Sequence, residues 1–215
     1  MKWNLPNVLT FGRLVAAPAL PLAYVLLPAP WADLVGLILF SAAAITDYVD
    51  GQLARRWGQV SRFGAMLDPI ADKAMVVTAV AILFGLYGLD LAIVVPATLI
   101  LFREVFVSGL REFLGADAGK LAVTRLAKWK TTAQLVSIGF LLAARMFEGA
   151  LGLQIDAAEA RGALEELPFL VDATAWLATA TFWIGLALFW VAGILTAVTG
   201  WDYFAKARPF LTEAP

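Results

Sequence analysis

The chain has 215 residues, 61% of them hydrophobic, and a formal net charge of -1. Soluble domains run closer to half apolar, so this is membrane composition, and the near-neutral charge leaves no footprint for a nucleic-acid partner. Cys and His are both absent, which excludes disulfides, thiolate nucleophiles, Cys/His zinc sites, His-ligated haem and imidazole acid–base chemistry.

The elements, in chain order, predict an all-α polytopic membrane protein: one domain over residues 1–215, with an amphipathic N-terminal segment and six transmembrane helices. Leu14–Ala32 is uncharged and long enough for one crossing at ~1.5 Å rise per residue. Its prolines, Pro18, Pro21 and Pro28, are tolerable as kinks in a bilayer helix. Further runs cover Asp33–Leu53, Met66–Tyr87, Leu91–Phe113, Ala122–Phe147 and Ala173–Tyr203, with tight turns at Pro28–Pro30 and Gly88–Asp90. A cleaved signal peptide is a poorer reading of the first run, which is long for such a segment and is followed by five more spans. Residues 149–171 form the longest expected loop, in which "IDAAEARGALEEL" has the pattern of a short amphipathic surface helix.

Lys and Arg set the orientation. With six spans both termini share a side, and that side collects every Lys and Arg except Arg145 and Arg161. Both termini are therefore expected in the cytoplasm and the 149–171 loop outside it. This orientation brings Asp47, Asp50, Asp68, Asp72, Arg103, Arg111, Lys128 and Lys130 to one level, just inside the cytoplasmic boundary.

The spacing of the four carboxylates points to a shared site. Asp47 and Asp50 are three apart and Asp68 and Asp72 four apart, so each pair shares a helix face. Gly51 removes a side chain where a ligand could approach the backbone. Bare, the carboxylates would repel one another; one or two divalent cations relieve that, and all-oxygen ligation favours Mg²⁺, Mn²⁺ or Ca²⁺. Two metals are the usual arrangement for displacing a group at phosphorus. The plainer reading makes these residues solvated helix ends paired with Arg55, Arg56 and Lys73. Four at helical spacings in an apolar chain argue against it, because intramembrane ionisable groups are functional by default.

The run Asp47-x2-Asp50-Gly51-x2-Ala54-Arg55-x8-Gly64-x3-Asp68-x3-Asp72 resembles the signature of the CDP-alcohol phosphotransferase family at all eight of its fixed positions. "NLPNVLTFGRLVAAP", "REVFVSGLREFLG" and "KWKTTAQ" are similar to the bacterial members that use glycerol phosphate, over roughly residues 4–142. The 149–171 loop looks longer than the family's usual connection.

The resemblance implies transfer of a phosphatidyl group from CDP-diacylglycerol to sn-glycerol 3-phosphate, releasing CMP, in a homodimer in the bacterial cytoplasmic membrane with its active site facing the cytoplasm. It implies Asp47, Asp50, Asp68 and Asp72 as ligands of Mg²⁺ or Mn²⁺, with two ions expected. Asp72 would also be the general base. Asp47, Gly51, Ala54, Arg55 and Gly64 would receive CDP-diacylglycerol. Arg103, Arg111, Lys128 and Lys130 are candidates for the acceptor phosphate, against plain topology or pairing with Glu104 and Glu112. Thr10 and Arg13 are expected only at the rim. Trp3, Trp31, Trp57, Trp129 and Trp201 read as an interfacial belt, and Gly185, Gly193 and Gly200 as helix-packing positions. Two alternatives stand beside this: another family acceptor, such as phosphatidylglycerol, serine or inositol phosphate, and a cation transporter. The transporter is disfavoured because no polar trail crosses to the other face.

Overall fold

A computed structural model describes residues 5–57, 61–115, 119, 125–162 and 168–212; the side chains of 48, 50–57, 125, 127, 128, 168, 170 and 212 lie outside that description. The elements are α1 (Leu5–Leu26), α2 (Trp31–Trp57), α3 (Arg62–Tyr87), α4 (Leu91–Leu114), α5 (Arg125–Glu159) and α6 (Pro168–Thr212). The protein is an all-α polytopic membrane protein. Five of the helices, all but α2, contain described stretches long and apolar enough to cross a bilayer.

Local sequence explains where these helices stop. The Ser61 side chain caps α3 by accepting from the Gly64 amide at 2.9 Å. Gly88 ends α3 in the left-handed region (φ 68°), and Asp90 caps α4 by accepting from the Ala92 amide at 2.7 Å. The expected Gly88–Asp90 turn is therefore a Gly stop followed directly by an Asp start. α1 ends at Leu26 ahead of the Pro28–Pro30 turn, so the first span is shorter at this end than Leu14–Ala32.

From Leu5 on, the N-terminal segment is the first part of α1, continuous with the span. Its buried positions, Asn7, Thr10, Arg13, Ala17 and Leu20, recur at three and four residues and form one face. Leu5, Val8, Phe11 and Val15 lie on the exposed side. The pattern inverts that of a soluble helix, because the surrounding solvent is lipid.

The expected 149–171 loop is largely helical. α5 continues to Glu159 and α6 starts at Pro168. Ala158 is fully buried in this extension, and Gln154 Nε2 donates to Thr174 Oγ1 at 3.1 Å, tying α5 to α6. At 35 and 45 residues, α5 and α6 exceed the ~20 needed to span the hydrocarbon, so polar residues at their ends continue the helices beyond it.

The chain divides into two compact units. Unit 1 is Met1–Gly88 with Ile138–Gly185; unit 2 is Leu89–Ser137 with Leu186–Pro215. In unit 1, α1 packs on α2 and α3 around Leu20, Phe40, Val80 and Leu83, and Ile138, Leu141 and Leu142 are fully buried. Tyr87 donates its hydroxyl to the Leu141 carbonyl at 2.7 Å. Gly185 lies against the Leu141 backbone, where an added Cβ would sit at 3.0 Å. In unit 2, Val107, Leu114, Tyr203 and Ala207 form a core beside Leu110 and Phe210, and Gly193 packs on Pro96. The packing role expected of Gly185 and Gly193 matches these contacts.

Candidate active site

Three helices of unit 1 bring the carboxylates together. Asp68 and Asp72 lie one turn apart near the start of α3, with Pro69 between them; Asp47 comes from α2. α1 supplies the groups that hold them. Thr10 Oγ1 donates to Asp68 Oδ1 at 2.8 Å. Arg13 Nη1 donates to both Asp47 Oδ1 and Asp72 Oδ1. The Arg13 side chain is 2% exposed, while those of Asp47 and Asp72 are 38% and 48% exposed. The guanidinium thus forms the floor of the cluster and the carboxylates stay accessible from one side.

Thr10 and Arg13 are therefore not rim residues. They occupy the centre, where Thr10 orients one carboxylate and Arg13 gathers two others. A buried Arg stays protonated, so carboxylate partners offset the cost of enclosing its charge, and the i, i+3 spacing of Thr10 and Arg13 places both on the buried face of α1. Asn7, one turn earlier, was not foreseen at all. It is buried, and its Oδ1 accepts from Ser61 Oγ at 2.8 Å, joining α1 to the cap of α3. The recurring Asn7–Thr10–Arg13 polar spacing in an apolar helix was the signal that could have found it.

Gly64 has a structural reason to be glycine. A Cβ there would come within 2.7 Å of Asn7 Oδ1 and 3.3 Å of Ser61 Oγ. The side chains of Asp50, Gly51, Ala54 and Arg55 lie outside the described residues.

The expected acceptor cations divide into pairs within unit 2. Glu104 Oε1 accepts from Lys130 Nζ and, at 3.3 Å, from Arg103 Nη1. Lys130 is buried. Arg111 Nε donates to the Tyr203 hydroxyl at 2.8 Å, and its guanidinium carbon lies 5.7 Å from that ring's centroid. Arg103 and Lys130 thus converge on one carboxylate and keep a net positive charge; Arg111 is held elsewhere, on α6. The Lys128 side chain lies outside the described residues.

Carboxylates from two helices thus meet at one cationic atom, and a third carboxylate, Asp68, is held by Thr10 on the same face of α1. The model for CDP-alcohol phosphatidyltransferase matches residues 3–191, and the chain belongs to this family. It is similar to the CDP-diacylglycerol–glycerol-3-phosphate 3-phosphatidyltransferase of Cereibacter sphaeroides, with 51% identity over 99% of both chains. It is also similar to the proteins of the same name from Salmonella choleraesuis (43%) and Escherichia coli K12 (41%), in each case over 66% of this chain and 78% of the relative. Residues 149–171, read as a departure from the family, fall within the aligned length of the Cereibacter protein.

Family membership implies metal dependence. Among the described residues no group of three acidic side chains stands ready to hold an ion. The donor set nonetheless fits a hard divalent cation. Asp47 and Asp72 already converge on one positive atom, and each keeps solvent-accessible surface.

Proposed function

We infer that the chain transfers a phosphatidyl group from CDP-diacylglycerol to sn-glycerol 3-phosphate, giving phosphatidylglycerophosphate and CMP. The observation that carries this reading is the convergence of Asp47 and Asp72, from two helices, on Arg13 Nη1. It is supported by the named relative that matches over 99% of both chains.

Asp47, Asp50, Asp68 and Asp72 would hold Mg²⁺ or Mn²⁺, two ions in all. When bound, they neutralise the pyrophosphate and the departing CMP. Asp72 takes the proton from the glycerol 1-hydroxyl as that oxygen attacks the β-phosphorus, and the bond from phosphorus to the CMP oxygen breaks in line. Arg13 positions Asp72 and Asp47 together, and Thr10 fixes the rotamer of Asp68. Gly51, Ala54 and Arg55 receive the nucleotide. The acceptor is a dianion; Arg103, Arg111, Lys128 and Lys130 supply its positive surroundings, and Glu104 holds two of them in place. The lipid substrate requires a membrane enzyme. The cytoplasmic membrane, with both termini and the site cytoplasmic, and a homodimeric assembly complete the reading.

The test is CMP release by the purified protein with CDP-diacylglycerol and Mg²⁺, offering glycerol 3-phosphate, phosphatidylglycerol, serine and inositol phosphate in turn. Release is expected with glycerol 3-phosphate, abolished by EDTA and restored by Mg²⁺ or Mn²⁺. Preference for another acceptor would overturn the substrate assignment, and full turnover in metal-free buffer would overturn the metal site.

A further inference from the structure

The proposed acceptor site uses only the two lysines of the segment "KWKTTAQ". The last residue of that segment, Gln134, is 2% exposed, and its Oε1 is enclosed with no hydrogen-bond partner. Ser137 Oγ donates to the Gln134 backbone carbonyl at 2.9 Å and leaves the amide oxygen unmet. A buried acceptor without a donor is destabilising, all the more within a bilayer. The buried amide of Asn7 shows the ordinary solution, its Oδ1 accepting from Ser61 Oγ at 2.8 Å.

Gln134 stands four residues after Lys130, so the two share a face of α5, about 6 Å of rise apart. Both are buried. Lys130 Nζ donates to Glu104 Oε1, which sets this face of α5 against α4. Arg103 of α4 carries the complementary deficit: its Nη1 donates to Glu104, and its Nε is buried and unpartnered. Unit 2 thus holds an unmatched cationic donor on α4 and an unmatched neutral acceptor on the α5 face that packs there. A phosphate oxygen answers the first and a hydroxyl the second. The ligand that answers both is a phosphate ester with a free hydroxyl.

Resting on the reaction inferred for this chain, we propose that Gln134 reads the 2-hydroxyl of the acceptor, which donates to Oε1 while Arg103 and Lys130 hold the phosphate. The polar groups of glycerol 3-phosphate can be assigned one by one. Its phosphate takes the cations, and its 1-hydroxyl gives its proton to Asp72. The 2-hydroxyl remains, and the cations of the site have no lone pair to offer it. Glu104 already accepts from Lys130 and Arg103. In the acceptor the 2-hydroxyl lies two carbons from the phosphate ester oxygen, within the single helical turn that separates Gln134 from Lys130. A site that hydrogen-bonds a substrate hydroxyl rejects the analogue lacking it far more strongly than an apolar pocket rejects one methylene. Gln134 is in this way a specificity-determining residue, separating glycerol phosphate from phosphate monoesters that carry only the attacking hydroxyl.

The experiment compares two acceptors in one preparation of the full chain: glycerol 3-phosphate, and 3-hydroxypropyl phosphate, which keeps the phosphate and the attacking hydroxyl and lacks only the 2-hydroxyl. CMP release with CDP-diacylglycerol and Mg²⁺ gives kcat/KM for each, and their ratio does not depend on the fraction of protein that is folded. The parent is expected to favour glycerol 3-phosphate by about 5- to 100-fold, the effect of leaving one buried acceptor unmatched. In Gln134→Met, which keeps the length of the side chain and removes its amide, the ratio should fall close to one, through loss with glycerol 3-phosphate and little change with the analogue. A parent that uses the two acceptors equally overturns the proposal and leaves phosphatidyl transfer standing. A Gln134→Met protein that loses activity with both acceptors and keeps the parent ratio also overturns it, by making the amide a packing group. No transfer to glycerol 3-phosphate by the parent overturns the reaction itself, and this proposal with it.

Discussion

Arg13 puts one nitrogen between carboxylates that belong to two different helices, and its own side chain is almost wholly enclosed. Arg13→Ala leaves Asp47 and Asp72 facing each other without a counter-charge. Because both are partly exposed, the loss should be roughly 1–2 kcal/mol, below the figure for fully buried pairs. A divalent cation should offset it, so the rise in unfolding temperature on adding Mg²⁺ should be larger in Arg13→Ala than in the parent protein. An equal rise in the two would mean that Arg13 and the metal do not act on the same carboxylates. Asp72→Asn preserves size but cannot accept a proton, and kcat should fall by about 10²–10⁴-fold. Near-normal turnover would assign the base elsewhere. At this scale the four carboxylates were legible because their spacing departs from everything around them. Thr10 and Arg13 were visible yet placed at the edge, since a cation near a chain start reads first as topology. Only the fold shows α1 turning its polar face inward.

Among the elements, the α1–α2 contact rests on a missing side chain. Tyr24 of α1 lies over Gly36 of α2, where a Cβ would come within 2.7 Å of the ring. Cε2, Cζ and the hydroxyl of Tyr24 all lie within 3 Å of that Cβ, so Gly36→Leu should cost about 1–3 kcal/mol as overpacking. Its unfolding temperature in detergent should fall while Gly12→Leu, at a position with open space around it, changes little. Equal effects would show that the two helices can separate freely there. The centres of all six helices were legible from runs of apolar residues, and their ends from Gly88, Asp90 and Pro28. The ends of α5 and α6 were not. Gln154, Asp156 and Glu159 look like loop residues by polarity, and helix continues through them because Ala158 and the Gln154–Thr174 pair pack there. Composition reports where lipid stops, and a helix can outlast it.

At the scale of the whole molecule, six spans would put all the Lys and Arg residues but Arg145 and Arg161 on the side of the termini. A cytoplasm-dependent reporter fused after Pro215 should be active, and one inserted near Asp156 silent. The reverse would place the carboxylates away from the soluble acceptor. Asp33 is buried in the first turn of α2, where an acid suits the helix dipole, and Arg145 carries the balancing charge nearby.

The most direct measurement follows the acceptor into lipid. Purified protein is given CDP-diacylglycerol, Mg²⁺ and glycerol 3-phosphate labelled in its carbon skeleton, and the organic phase is analysed beside CMP in the aqueous phase. Label should enter phosphatidylglycerophosphate, one per CMP released, and both signals should fall together in Asp72→Asn. CMP released without labelled lipid, with phosphatidate as the lipid product, would mean that water rather than glycerol 3-phosphate is the acceptor, and would contradict phosphatidyl transfer by this chain.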